Sequence, residues 1–250
     1  MSSFGIVGTV FVVCAEVDFI GLKGVEVIKQ FFGEKPGSAY GASLVFDDIN
    51  NDGLDDLLVG APLYFDAQTK VIDSGAVYIY YGTLDTQVVL SVSGQTLKGT
   101  VSLGRFGTAM QCIGDINKDG FKDIAVGAPY EDDLRGSVYI YHGGTTMLEE
   151  TQAIRASDID VGLRSFGWFI STPYDIDNNN YTDFLVGSYM SDHVTVFRTR
   201  PIVRLDATMD ITPTLIPLNS SELECQDSFF RPCATIKICF SYSGENLPSS

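Results

Sequence analysis

Apolar residues in this chain come mostly in short runs, closed by Gly, Pro, Asn or Asp and too brief for amphipathic helices. DLLVGAP from Asp56, DIAVGAP from Asp123 and DFLVGSY from Asp183 are three such runs, and AVYIY from Ala76 and SVYIY from Ser137 are two more. Continuous apolar segments of this length, bounded by turn residues, predict strands covered on both faces. The pattern therefore predicts an all-β chain.

Each of the first three runs is preceded at once by an acidic loop. The loops read DINNDGLDD from Asp48 to Asp56, DINKDGFKD from Asp115 to Asp123, and DIDNNNYTD from Asp175 to Asp183. Oxygen side chains recur at positions 1, 3, 5 and 9: Asp48, Asn50, Asp52 and Asp56; Asp115, Asn117, Asp119 and Asp123; Asp175, Asp177, Asn179 and Asp183. Backbone carbonyls at position 7, from Leu54, Phe121 and Tyr181, would complete the hard oxygen set that Ca²⁺ prefers. The loops open like an EF-hand but do not end like one. Position 12 is Val59, Val126 or Val186 instead of a bidentate Glu, and a strand follows where a helix should. Position 6 is Gly53, Gly120 or Asn180, residue types that tolerate a left-handed turn. In any single loop the acidic residues could simply cap a hairpin. Three loops with three carboxylates apiece instead favour a bound cation, about three Ca²⁺ in all. Asp55 lies at an even position and is expected to point into solvent.

The repeating unit is larger than its loop. Upstream lie the pairs Tyr40-Gly41, Phe106-Gly107 and Phe166-Gly167, and downstream lies Gly-Ala-Pro at 60–62 and 127–129, blurred to Gly187-Ser188-Tyr189 in the third copy. Loop starts at 48, 115 and 175 set a period suited to a blade of several short strands. The aromatic-glycine pair suits close backbone approach at a crowded axis, or equally a turn or bulge glycine.

The order aromatic-Gly, acidic loop, GAP and GxVYIY resembles the FG-GAP repeats of the integrin α-subunit head, a seven-bladed propeller, over residues from about 30 to 200. The resemblance implies a partial β-propeller of about three blades (30–95, 96–157 and 158–200). An incomplete immunoglobulin-like β-sandwich, the start of a thigh-like domain, would occupy 201–250. Residues 1–29 are left unassigned: FGIVGTVFVVC at 4–14 fits both a signal-peptide core and a strand of an incomplete upstream blade. By the same resemblance the Ca²⁺ loops stiffen blades without touching ligand. The opposite, upper face would meet an integrin β subunit, and the heterodimer would bind extracellular matrix or counter-receptors at the extracellular face of the plasma membrane. Partner contacts are then expected in the loops 64–73, 130–135 and 102–105, with Tyr64 and Tyr130 as exposed aromatic anchors. Closed propellers use about four to eight blades, so three blades imply an open fan with apolar faces in water, and a fragment or short isoform.

Composition narrows the alternatives. Thirty-two acidic against sixteen basic residues give a net charge of −16, which argues against nucleic acid as a partner. Five cysteines are present. The thigh resemblance implies a Cys225–Cys233 bridge and a downstream partner for Cys239. Cys112 reads as a buried thiol in a strand, and Cys14 stands alone. Asn219-Ser220-Ser221 is a plausible glycosylation acceptor, whereas the sequon at Asn180 sits inside a tight loop. A rival class is an FG-GAP accessory domain of a secreted hydrolase such as a phospholipase D. Two isolated histidines, His142 and His193, and the lack of a Gly-x-Ser-x-Gly elbow leave no catalytic set, so the chain reads as a non-enzyme.

Overall fold

A computed structural model describes residues 8–18, 21–84, 90–91, 94–212, 214 and 234–244, without side chains at 13–18 and 21–26. The chain divides into two compact units, Met1–Thr199 and Arg200–Ser250. The first is a row of antiparallel sheets. β1 (Thr9–Asp18) and β2 (Gly21–Phe32) form a hairpin. β3 (Ser43–Asp47), β4 (Asp56–Ala61), β5 (Ala76–Tyr80) and β6 (Thr96–Lys98) form a four-stranded meander in that order. β7 (Ala109–Gly114), β8 (Asp123–Ala128), β9 (Ser137–His142) and β10 (Glu149–Arg155) repeat it. β11 (Phe166–Ile170), β12 (Phe184–Ser188) and β13 (His193–Phe197) give a three-stranded version.

The unbroken apolar runs are explained by the cores on either side of each sheet. Every residue of β4 and β8 is buried. Because strand side chains alternate between faces, Leu57 and Val59 enter a core shared with Val10 and Phe31 of the hairpin, while Leu58 points the other way. Leu58 joins Val77 and Ile79 against Met110, Ile124 and Val126 of the next blade. Ala125, Val138 and Ile140 then pack with Ile170, Phe184 and Val186 of the last. A blade of this kind is held by its neighbours as much as by its own ladder.

Glycines let the blades close up. Gly75 and Gly136 have φ of +86° and +94°, and a Cβ on either would lie 2.0 or 2.2 Å from the carbonyl oxygen of Phe106 or Phe166. The same aromatic residues donate their amides to Ser74 and Arg135 of the preceding blade, at 3.0 and 2.8 Å. Their rings turn forward: Phe106 packs edge-on to Tyr139 and Tyr141, and Phe166 against Phe197. Each aromatic-glycine pair thus staples two blades. The hairpin repeats the arrangement, with Gly8 against the Tyr40 carbonyl and the Gly33 amide on Gly8 oxygen, as Gly99 is on Gly75. β1 and β2 therefore meet the first blade as β5 and β6 meet the second.

One boundary shifts from the sequence reading. The strand at 96–98 pairs with β5 through Tyr78↔Thr96, Val77↔Leu97 and Ala76↔Lys98. The first blade therefore runs past residue 95. Its outer strand, Thr-Leu-Lys, is too short and too polar to stand out from a loop.

Apolar side chains are exposed on the first and last sheets of this unit. Leu44 and Phe46 on β3 are exposed, as are Phe169, Val194 and Val196 on the last sheet. In the second unit β14 (Arg204–Thr212) and β15 (Thr235–Ser243) pair in register over nine positions. Leu205↔Tyr242, Ala207↔Phe240, Met209↔Ile238 and Ile211↔Ile236 make one face apolar, and Asp206, Asp210 and Lys237 make the other polar. One-sided alternation of this sort is how a sandwich sheet faces its partner sheet.

The glycine seam yields a paired test. Gly120 also has positive φ, +96°, but a Cβ there meets nothing within 4 Å. Gly120→Ala should cost about 1–2 kcal/mol of left-handed strain. Gly136→Ala should cost that plus about 1–3 kcal/mol for overpacking at the seam. Urea denaturation giving equal midpoints for the two variants would mean that the seam is not sterically tight.

Candidate metal centre

The three acidic loops each join the first strand of a blade to its second, and share one backbone path. Position 6 is left-handed as the residue types suggest, with φ of +86° at Gly53, +96° at Gly120 and +65° at Asn180. Position 4 is left-handed too, at Asn51, Lys118 and Asn178. The Asp at position 1 accepts the amides of positions 5 and 6: Asp48 from Asp52 and Gly53, Asp115 from Asp119 and Gly120, and Asp175 from Asn179 and Asn180, all at 2.9–3.2 Å. Such an arrangement folds the loop inward around its carboxylates.

The Asp at position 9 closes each loop from below. Asp56, Asp123 and Asp183 are buried. One oxygen of each accepts the position 2 amide, from Ile49, Ile116 or Ile176. The other accepts an amide from just beyond the third strand, from Gly82, Gly143 or Thr199. A single carboxylate thereby joins three strands of a blade. Burial pushes the Asp56 carboxyl above its usual range and Asp123 up to about 6, against the pull of these amides.

The loops differ in how the third carboxylate is held. In the first two, the position 5 Asp turns into its own loop. Asp52 and Asp119 accept from Leu54 and Phe121 amides at 2.9 Å and from the Asn50 and Asn117 side-chain amides at 2.9 and 2.7 Å. In the third loop the extra carboxylate stands at position 3. There Asp175, Asp177 and Asp183 bring oxygens within 4.8 Å of one another, the one such grouping of three among the described residues. All side-chain donors in the three loops are oxygen, with no thiolate or imidazole, which suits a hard divalent cation and not zinc. Asp55 at position 8 is exposed, as expected of it. Its counterparts bridge blades: Lys122 pairs with Asp47, and Thr182 donates to the Ile113 carbonyl at 2.6 Å.

At the opposite end of the sheets lie the loops expected to meet a partner. Tyr64 is not an exposed anchor. It is 4% exposed, with its ring edge-on to Tyr78 and Lys98 above it, because its loop folds back over its own blade. Tyr130 is half-buried and borders an open cleft of about 600 Å³ with Ser102, Leu103, Arg105 and Asp132. The Arg105 guanidinium sits 4.4 Å over the Tyr130 ring, and the run of rings continues through Trp168 to Tyr189. Sequence reasoning missed the last two. The signal for Tyr189 was the blurring of Gly-Ala-Pro to Gly187-Ser188-Tyr189, which puts a ring where the other blades have proline.

The remaining site residues are quickly placed. Cys112 is buried, its thiol pushed up to about 12 chiefly by burial, and Cys239 is exposed without a bridge among the described residues. Cys225, Cys233 and Asn219 lie outside the described residues. His142 ends β9 and His193 begins β13. Among the described residues no helix is long and apolar enough to cross a membrane.

Comparison with known proteins bears on the same segments. The FG-GAP repeat family matches residues 40–80 and 112–141. Integrin alpha-4 of Xenopus laevis is 35% identical over 232 residues, 90% of this chain and 21% of that protein. Integrin alpha-8 of Gallus gallus is 35% identical over 240 residues, 92% of this chain and 22% of that protein. Integrin alpha-PS2 of Drosophila melanogaster is 37% identical over 227 residues, 86% of this chain and 16% of that protein. The chain spans about a fifth of the length of the curated relatives it matches first.

The buried position 9 carboxylates set a pH dependence. With folded pKa values raised above the unfolded ones, Asp56 and Asp123 make the folded state bind more protons, so without cation their contribution to stability falls as pH rises from about 4 to above 6. Melts in chelator should therefore shift upward between pH 7 and pH 5, and excess Ca²⁺ at pH 7 should remove the deficit. Asp123→Asn should flatten the chelator profile. An unchanged profile in that variant would assign the pH effect to other groups.

Proposed function

We propose, from the premise that this chain is an FG-GAP-repeat relative of the integrin α subunits, that it works as blades of an integrin α-subunit propeller in a heterodimeric cell-adhesion receptor. The observation that carries the reading is the agreement of a sequence likeness with a structural regularity. The likeness to integrin α subunits runs along about nine-tenths of the chain, and the acidic loops recur at one topological position in every blade. On this reading each loop holds a Ca²⁺ through its carboxylates at positions 1 and 9, its position 3 and 5 side chains and the position 7 carbonyl. The ion supplies positive charge where three carboxylates meet. The chain supplies the rest: position 9 fixes the loop to three strands, and in the second and third loops position 8 ties it to the preceding blade.

The run Arg105, Tyr130, Trp168 and Tyr189 at the other end is then the best-supported contact region for an integrin β subunit. Its half-exposed rings and one arginine are the residue types enriched at interfaces. Matrix or counter-receptor binding would belong to the heterodimer, at the extracellular face of the plasma membrane.

The test is to replace the matching segment of integrin alpha-4 with this chain and to follow delivery to the cell surface with a β subunit by flow cytometry. Surface heterodimer is the expected result. Retention of a folded chimaera without bound β subunit would overturn the reading.

A narrower test addresses the ion. Asp119→Ala should lower the melting temperature in millimolar Ca²⁺ and have little effect in chelator, because binding to the folded state adds stability by mass action. An equal loss in both conditions would mean that Asp119 serves the turn through its bonds to Phe121 and Asn117 and not an ion.

A further inference from the structure

The third loop is tied to the end of its third strand in a way the other two are not. The position 9 carboxylates of all three accept an amide from beyond that strand, at Gly82, Gly143 and Thr199. Pairing of Leu57 with Tyr80, Ile124 with Tyr141 and Phe184 with Phe197 makes Tyr81, His142 and Arg198 equivalent positions. Only the third of these is a permanent cation. Its guanidinium bonds Asp177 through both Nε, at 3.2 Å, and Nη2, and both bonds fall on the same carboxylate oxygen, Oδ2.

The next residue adds two more ties. The Thr199 amide donates to Asp183 at 2.8 Å, and the Thr199 carbonyl accepts from the Asn179 side-chain amide at 2.8 Å. Positions 3, 5 and 9 of the loop are thus all held by the dipeptide Arg198-Thr199. Among the described residues no equivalent tie from beyond the third strand reaches position 3 in the first two blades, where the side-chain amides of Asn50 and Asn117 donate within their own loops.

Resting on the cation reading above, we propose that Arg198 is a positioning residue of the third cation site. It fixes Asp177 by Oδ2, and the Asn179 backbone amide holds the same carboxylate from within the loop. Arg198 also offsets one of the three gathered carboxylates, so that the site's charge matches a divalent cation. Fixing a ligating carboxylate from outside the coordination shell raises metal affinity because the ligand need not be ordered when the ion arrives. The arginine is largely exposed, with 63% of its side-chain area open to solvent, so replacing it leaves the blade core intact.

Hydrogen exchange of the full chain, followed by mass spectrometry across a Ca²⁺ titration, reads the three loops separately. In Arg198→Gln the Ca²⁺ midpoint for peptides spanning 175–183 should rise about tenfold, with the midpoints for 48–56 and 115–123 unchanged. Arg198→Lys, which keeps the charge but not the two-donor geometry, should fall between wild type and Arg198→Gln. An unchanged midpoint in Arg198→Gln overturns the proposal. So does a lowered one, which would make the arginine a competitor of the ion. Wild-type protection that responds to Ca²⁺ in the first two loops but not the third overturns it alone. No response in any loop overturns the cation reading and this proposal together.

Discussion

A carboxylate that is buried and bonded at both oxygens holds each blade of this chain to its shape. Asp56, Asp123 and Asp183 sit at the start of the second strand, where one oxygen fixes the loop arriving from the first strand and the other fixes the chain leaving the third. Removing a carboxylate from water is costly unless its lone pairs and charge are compensated. The amides satisfy the lone pairs, but the raised pKa values of Asp56 and Asp123 indicate that they leave the charge incompletely compensated. A cation bound among the same carboxylates would complete the compensation, so one requirement would account for both the loop's architecture and the proposed ion.

The second constraint is that no blade is covered by itself. Leu57 and Leu58 are adjacent in sequence yet serve different cores, one on each face of the sheet. Stacking blades in a row satisfies every internal face, and glycine at 75 and 136 allows the spacing that this stacking needs. Among the described residues the hairpin covers its face of the first sheet over β4 and β5 but leaves Leu44 and Phe46 of β3 exposed, and Phe169, Val194 and Val196 are exposed on the last sheet. Those faces are equivalent to ones filled elsewhere in the row. Exposed apolar surface of this kind is what nearest-neighbour repeat packing leaves at any unfilled end.

Much of this was legible in the sequence, because the features that build a blade are local. Turn residues, apolar run length and oxygen spacing all lie within about twelve residues of one another, and they located the loops and the strands on either side of them. What the sequence left unread depends on distant partners. Lys118 adopts a left-handed backbone at position 4 although nothing in its side chain asks for one; the carboxylates at positions 1 and 9 impose it. Arg198 lies twenty-one residues from Asp177, and no spacing rule joins them. Tyr64 and Tyr130 both follow Gly-Ala-Pro, Tyr130 directly and Tyr64 one residue later, and one is buried and the other half-open. The loop after Tyr64 folds back so that the Ser74 amide donates to the Tyr64 carbonyl. Trp168 and Tyr189 converge only because β11 and β12 are antiparallel neighbours.

The antiparallel meander also separates the two ends of each blade. The acidic loop enters β8 at Asp123, and Tyr130 follows its far end, six strand residues away, or about 20 Å at roughly 3.3 Å per residue. At an effective dielectric of about 20, two unit charges about 20 Å apart interact by only about 0.8 kcal/mol, so an ion at the loop has little direct electrostatic hold on the neutral ring of Tyr130. Any influence must pass through the strand, whose residues are all buried between two cores and cannot shift without disturbing both. An ion at one end would therefore act on the other by keeping the blade rigid, and side chains such as Arg105 and Trp168 would be held in place by a charge they never meet.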